Sequence, residues 1–217
     1  MELLDLMKQR HSVRQYTDRP IEAEKRTVLN DMIAEINRNA NLHIQIFYEE
    51  PKCFNSILAH YGKFTGVKNY IALVGPKGNK LEETLGYYGE QLVLKAQELG
   101  LNTYWVAMTH GKSRAEIGKG EKQVCLISIG YGRTSGTIHK SKSLPEICNY
   151  REGMPKWFLN GVEAALLAPT AMNQQKFFFK LQPDNNVTVT CGKGVYTKLD
   201  LGIRTYHFET ITKTIIL

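Results

Sequence analysis

Two short stretches carry residue types that could do chemistry. In KQRHSVRQY, residues 8–16, an apolar helical run ends, and Arg10, Ser12 and Arg14 follow at every second position. In an extended chain that spacing sets two guanidinium groups and a hydroxyl on one side. Guanidinium groups bind phosphate oxygens in pairs and the hydroxyl adds a short neutral donor, so the pattern reads as a phosphate grip. The competing reading is an exposed edge strand with solvated arginines. In LLAPTAMNQQKFFF, residues 166–179, Asn173, Gln174 and Gln175 stand between an apolar helical run and an aromatic one. Such amides either cap a turn or offer a donor and an acceptor to a ligand.

The chain that must position them has 217 residues, 42% hydrophobic and 23% charged, enough to bury one sizeable core. Its longest apolar runs, YIALVG at 70–75 and VEAALLAP at 162–169, fall short of the roughly 20 residues that span a membrane. The N-terminal MELLDLMKQR opens with an acidic residue and lacks a long apolar core, so it reads as an amphipathic helix rather than a signal peptide, and a cytoplasmic protein is expected. Cys53, Cys125, Cys148 and Cys191 form no CxxC pair and have no His at ligand spacing, which argues against a metal site and for buried free thiols. A net charge of +7 admits nucleic acid, a membrane surface or a phosphorylated small molecule as partner. The Lys and Arg are dispersed, which argues against nucleic acid.

Apolar spacing predicts a helix over 22–38, a strand over 42–48, a second strand at 70–75 and a long helix over 81–99 stopped by Gly100. Strands follow at 103–108 and 123–131 with a short helix at 113–118 between them. Ser143 and Glu146 form a capping box for a helix ending near Cys148. After YREGMP the pattern restarts with a helix over 155–167, the amide loop, strands at 177–182 and 187–191 around a PDNN turn, and a helix over 196–210. The expectation is an α+β fold, with a core over 1–148 and an appended helix-loop-strand half-repeat over 149–217 packed as part of one domain. Two nucleotide motifs fail. GYGRTSG at 130–136 has its third glycine one residue late and no helix after it, and HGKS at 110–113 has Val106 where a phosphate loop needs glycine.

RHSVRQYTDRPI, then YYGEQLVLKAQELGLNTYWVA at 87–107, then LISIGYG followed by HKSKSLPEI together resemble the FMN-dependent nitroreductase family, in order across about residues 1–148. The resemblance implies an α/β/α sandwich with a central, mostly antiparallel sheet flanked by helices, and a homodimer with flavins at the subunit interface. It also implies hydride transfer from NADH or NADPH through FMN to a nitroaromatic, quinone or similar small acceptor. By position, Arg10, Ser12 and Arg14 match the family's phosphate and ribityl grip, and Lys140 and Lys142 its basic pair at the phosphate. Trp105, Val106, Ala107 and Met108 match the segment whose backbone passes the flavin's reactive edge. No catalytic side chain is implied, because the hydride chemistry belongs to the flavin.

One departure matters. The family's APS-x-N-x-Q loop follows its first long helix, but EINRNANLHIQ stands there in this chain, with neither the Pro nor the Gln in position. APTAMNQQKF at 168–177 has the same make-up, which resembles a subgroup of nitroreductase-like proteins with a C-terminal half-repeat. Pro169, Thr170 and Ala171 would then let the chain approach the ring, while Asn173 and Gln174 or Gln175 complement its pyrimidine edge. The apolar stripe of 81–99, with Tyr87, exceeds what one half-sheet needs and adds to the expectation of a homodimer. The competing functions are a family member with specialised chemistry, a flavin-storing protein with little turnover, and a basic module that binds nucleic acid and no flavin.

Overall fold

The computed structural model describes residues 2–216. Its central strand grows from the apolar run around residue 72, where Tyr70, Ile71, Ala72, Leu73 and Val74 are all fully buried. An apolar stretch without alternation belongs where both faces are covered. β2 (Asn69–Pro76) accordingly lies between β1 (Gln45–Phe47) and β4 (Glu121–Gly130), with β3 (Asn102–Val106) outside β4. All three pairings are antiparallel. A separate antiparallel hairpin is formed by β5 (Phe177–Leu181) and β6 (Val187–Cys191). The helices are α1 (Leu3–Gln9), α2 (Ala23–Ala40), α3 (Ile57–Tyr61), α4 (Leu81–Glu98), α5 (Leu144–Ile147), α6 (Lys156–Leu167) and α7 (Thr197–Thr212). This is the α+β class expected, and no helix among the described residues is long and apolar enough to cross a membrane.

Three elements differ from the sequence reading. The strand expected over 42–48 is confined to Gln45–Phe47. The helix expected at 113–118 is absent, because side chains of the sheet take its backbone groups. Arg114 N donates to the Tyr70 hydroxyl at 2.9 Å, Glu116 N donates to Gln45 Oε1 at 2.9 Å, and Glu116 O accepts from Gln45 Nε2 at 2.8 Å. Short α3 was not foreseen; Ser56 caps it by accepting from Ala59 N.

The chain divides into two compact units. One comprises Gln9–Leu81 and Leu92–Ile138, with a core that includes Val13, Tyr16, Phe54, Phe64, Tyr70 and Val106. The other comprises Met1–Lys8, Glu82–Gln91 and His139–Leu217, with a core built on Phe158, Phe177, Phe179 and Phe208. Within the latter core Phe179 and Phe208 stack with ring centres 4.9 Å apart.

A helix, two strands that pair antiparallel and a closing helix occur twice, as α2, β1, β2 and α4, with short α3 between the strands, and as α6, β5, β6 and α7. The two closing helices cross at a pair of glycines inside the second unit. A methyl group at Gly86 would stand 2.2 Å from the carbonyl oxygen of Leu199, and one at Gly202 would stand 1.9 Å from that of Glu83. The secondary contacts match as well, Gly86 against Ile203 N and Gly202 against Tyr87 N. Glu83, Gly86 and Tyr87 thus meet Leu199, Gly202 and Ile203, each 116 residues further along, in the reciprocal pattern of a two-fold contact.

Because the obstructing atoms are backbone, they cannot swing aside. Gly86→Ala and Gly202→Ala should each lose about 1–3 kcal/mol in urea unfolding, outweighing the helix-propensity gain of about 1 kcal/mol. Gly78→Ala, with nothing within 4 Å, should stay within about 0.5 kcal/mol of wild type. Unchanged midpoints for the first two would mean that the helices do not touch there.

Candidate functional site

The phosphate-grip stretch begins where α1 ends. Residues 12–16 run extended because both neighbours bind their backbone: Val13 N donates to Thr103 O at 3.0 Å, Thr65 N to Arg14 O at 3.1 Å, and Tyr16 N to Thr65 O at 2.9 Å. Val13 and Tyr16 are buried in the core, while Ser12, Arg14 and Gln15 are exposed, so strict alternation holds over 12–14 and breaks at Gln15. Arg10 departs from the expected one-sided row. It directly follows the helix and is only 3% exposed. The Arg14 guanidinium lies 4.3 Å above the Tyr104 ring and donates to that tyrosine's hydroxyl.

Ser12 forms an isolated bridge with Thr103, so this stretch docks on the first half of β3. The second half of β3 leads into the segment expected at a flavin's edge. Val106 is buried in the core, Trp105 and Ala107 are half-buried, and Met108 is exposed. The turn that failed as a dinucleotide motif closes over the same stretch. Arg133 N donates to Gln15 O at 2.9 Å, and at Gly136, φ +75°, a Cβ would stand 2.7 Å from that of His11.

The basic pair and the amide loop belong to the other unit, where they bind each other. Lys140 is exposed and Lys142 half-buried. Gln175, only 2% exposed, accepts from Lys142 N at 2.9 Å and donates from Nε2 to Lys140 O and to Asn173 Oδ1, both at 2.8 Å. Asn173 Nδ2 also donates to Lys140 O at 2.8 Å, and Lys142 Nζ donates to Gln175 O at 3.1 Å. Gln174 Nε2 donates to Val195 O and to Asp200 Oδ2, both at 2.8 Å. The carboxamides expected to face a ring edge therefore face the chain, with Asn173 the exposed member of the three. Pro169, Thr170 and Ala171 are half-buried, and Met172, Asn173 and Gln175 all take left-handed backbone angles, φ 51°, 52° and 44°.

Two residues behind this loop were missed by sequence reasoning. Asp200 Oδ1 accepts from Ala171 N at 2.9 Å while its other oxygen holds Gln174, and Arg204 lies fully buried one helical turn on. Arg204 donates to Ala165 O at 3.1 Å and lies 3.5 Å above the Phe177 ring, while its Nε and Nη2 have no hydrogen-bond partner among the described residues. Burial pushes the Arg204 pKa down to about 9 against the opposing charge of Asp200, and burial raises that of Asp200 against its hydrogen bonds and Arg204. The signal was present in LDLGIRT, where opposite charges four apart sit among apolar residues on a helix.

Solved structures with this architecture are nitroreductase-like proteins. A putative nitroreductase from Thermotoga maritima superposes with a TM-score of 0.70 at 22% identity, covering 99% of this chain and 87% of its own. A putative nitroreductase in complex with FMN from Desulfovibrio desulfuricans gives 0.55 at 17% identity, covering 71% and 99%. A putative NADH dehydrogenase/NAD(P)H nitroreductase from Bacteroides thetaiotaomicron gives 0.52 at 19%, covering 67% and 95%. No curated protein matches the chain. The family described as Putative TM nitroreductase matches residues 2–212, and the chain belongs to that nitroreductase family.

The loop hangs on Asp200, so Asp200→Ala should unseat it. The variant leaves two N–H groups without an acceptor and Arg204 without its counter-charge, at a cost of about 3–5 kcal/mol in chemical unfolding. Amide exchange at Ala171 should speed up, and Asp200→Asn, which keeps one acceptor oxygen, should recover part of both losses. Wild-type exchange at Ala171 in Asp200→Ala would show that the loop is held by something else.

Proposed function

We propose that the protein is an FMN-dependent oxidoreductase that passes hydride from NAD(P)H through the flavin to a nitroaromatic, quinone or similar small acceptor. The observation that carries this reading, within a nitroreductase-family chain, is that Ser12 and Arg14 stand exposed on a stretch docked to Thr103 and Tyr104, directly before Trp105–Met108 on the same strand. The candidate phosphate grip is thereby docked on the strand that leads into the candidate ring-edge segment. The donor set suits a phosphorylated flavin: a hydroxyl, an exposed guanidinium already set by its tyrosine, and two lysines.

In this reading Ser12 and Arg14 bind phosphate and ribityl oxygens, Arg10 adds positive charge from behind them, and Lys140 and Lys142 complete the neutralisation. The backbone of Trp105, Val106, Ala107 and Met108 borders the reactive edge, and the segment Pro169–Gln175 lies along the ring. When bound, FMN supplies the hydride transfer; the residues hold it, aim it and supply positive charge for its reduced form. The four cysteines are free thiols and three of them are buried, which suits a reducing cytoplasmic setting.

The homodimer expected from the resemblance remains part of this reading. The stripe of α4 adds less to it than the sequence suggests, because Tyr87 packs on Tyr206 with ring centres 5.2 Å apart and Gly86 is pressed against α7 of the same chain. Light scattering of FMN-loaded protein should give twice one chain's mass of 24.7 kDa. A stable species of one chain's mass would remove the second copy.

Purified protein should be yellow, bleach with NADPH and recover its colour on adding a nitroaromatic. Flavin that binds and never bleaches would favour the storage reading. Arg14→Ala should weaken FMN by about 10- to 150-fold, the value of one charge-assisted contact, and leave riboflavin nearly unchanged. Equal losses for both would remove Arg14 from the phosphate.

A further inference from the structure

Gln175 is buried in a loop whose neighbours Asn173 and Lys176 are exposed, at a left-handed φ of 44° that glutamine adopts only under constraint. Its carboxamide takes Lys142 N as donor and Lys140 O as acceptor, the two groups that flank Ser141 on one edge of the chain. A neighbouring strand residue in parallel register makes that same pair of bonds. The side chain thus stands in for a strand, a bonding pattern that fits an extended run at residues 140–142, which belong to no sheet. In an extended run, side chains two apart leave on one side, so the clamp presents Lys140 and Lys142 together. Asn173 reinforces it, giving one N–H to Lys140 O and accepting the second N–H of Gln175. Lys142 Nζ closes the ring of contacts on Gln175 O.

We propose that Gln175 is a positioning residue that sets the basic arm 140–142 and, through it, the preference for a phosphorylated over an unphosphorylated ligand. Its own polar groups are engaged by the arm and do not read the ring. The ligand half of this inference rests on the FMN reading above; the clamp itself does not.

Gln175→Glu keeps the shape and strips both N–H groups, setting a carboxylate against Lys140 O. In ligand-free protein, tryptic cleavage after Lys140 or Lys142, followed by mass spectrometry, should accelerate about tenfold or more relative to wild type, as loss of about two hydrogen bonds implies. FMN affinity should fall about tenfold while riboflavin affinity changes less than about twofold. Asn173→Gly keeps the left-handed backbone and removes one arm of the clamp, so it should move the same readouts in the same direction by less, and it serves if the first variant does not fold. Equal losses for FMN and riboflavin would overturn the proposal in favour of ring contact or a general structural role. Unchanged tryptic cleavage would overturn the clamp. Wild-type protein that binds neither flavin would instead sink the FMN reading, and the tryptic result would still decide the clamp.

Discussion

The approach of α4 to α7 at Gly86 and Gly202 governs how the second unit is built. Backbones that touch need glycine on both sides, because any Cβ would enter the other helix's carbonyl. The contact is reciprocal, and reciprocal contacts ordinarily join two identical copies about a two-fold axis. Here both helices lie on one chain, and each follows the second strand of an antiparallel pair, β1–β2 or β5–β6. Two separate chains would lose about 4–15 kcal/mol of translational and rotational freedom on meeting this way. A covalent link removes that loss, so the crossing can tolerate polar company. Glu90 and His207, both fully buried, meet at 3.0 Å beside it, with His207 Nδ1 on Ala164 O.

From α7 the constraint passes outward to the amide loop. Asp200 and Arg204 are a poor stabilising device taken alone, since burial disfavours the charge on each. Their effect is local: Asp200 fixes Ala171 and Gln174, and that anchoring holds three non-glycine residues in left-handed backbone. Strain of about 1–3 kcal/mol at such a residue persists only where the surroundings over-determine it. A turn connecting α6 to β5 needs no such shape. The shape is needed to bring the Gln175 carboxamide against residues 140 and 142.

Features set by neighbours in sequence were legible from the amino acids alone. The helices at α2, α4, α6 and α7 follow the 3.6 period, the Ser143–Glu146 box forms as expected, and Gly100 with φ +75° ends the chain run after α4. The alternation after Arg10 correctly turned Ser12 and Arg14 outward; it does not extend to Arg10, which directly follows α1 and is buried. What stayed hidden depends on distant partners. The backbone at 113–118 is claimed by Tyr70 and Gln45, and the short α3 owes its start to a single serine. LEETLG and TKLDLG hold the crossing glycines at equal offsets from their helix starts, yet the match means nothing until the two helices are known to meet.

The amides show the limit most sharply. Sequence supplies the inventory, a donor and an acceptor on each carboxamide, and the same inventory serves a ligand's edge or a chain's edge equally well. Burial decides between them. A buried amide must satisfy its own groups from whatever backbone lies within reach, because an unmet donor or acceptor costs about 1–3 kcal/mol. For Gln175 that backbone lies more than thirty residues upstream, at Lys140 and Lys142. Asn173, exposed, divides its groups between Lys140 O and Gln175 and is the one amide of the three that a ligand could reach without first breaking into the interior. In the proposed reading, preference for a phosphate is set by a residue that never touches it, through the geometry of the two lysines it positions.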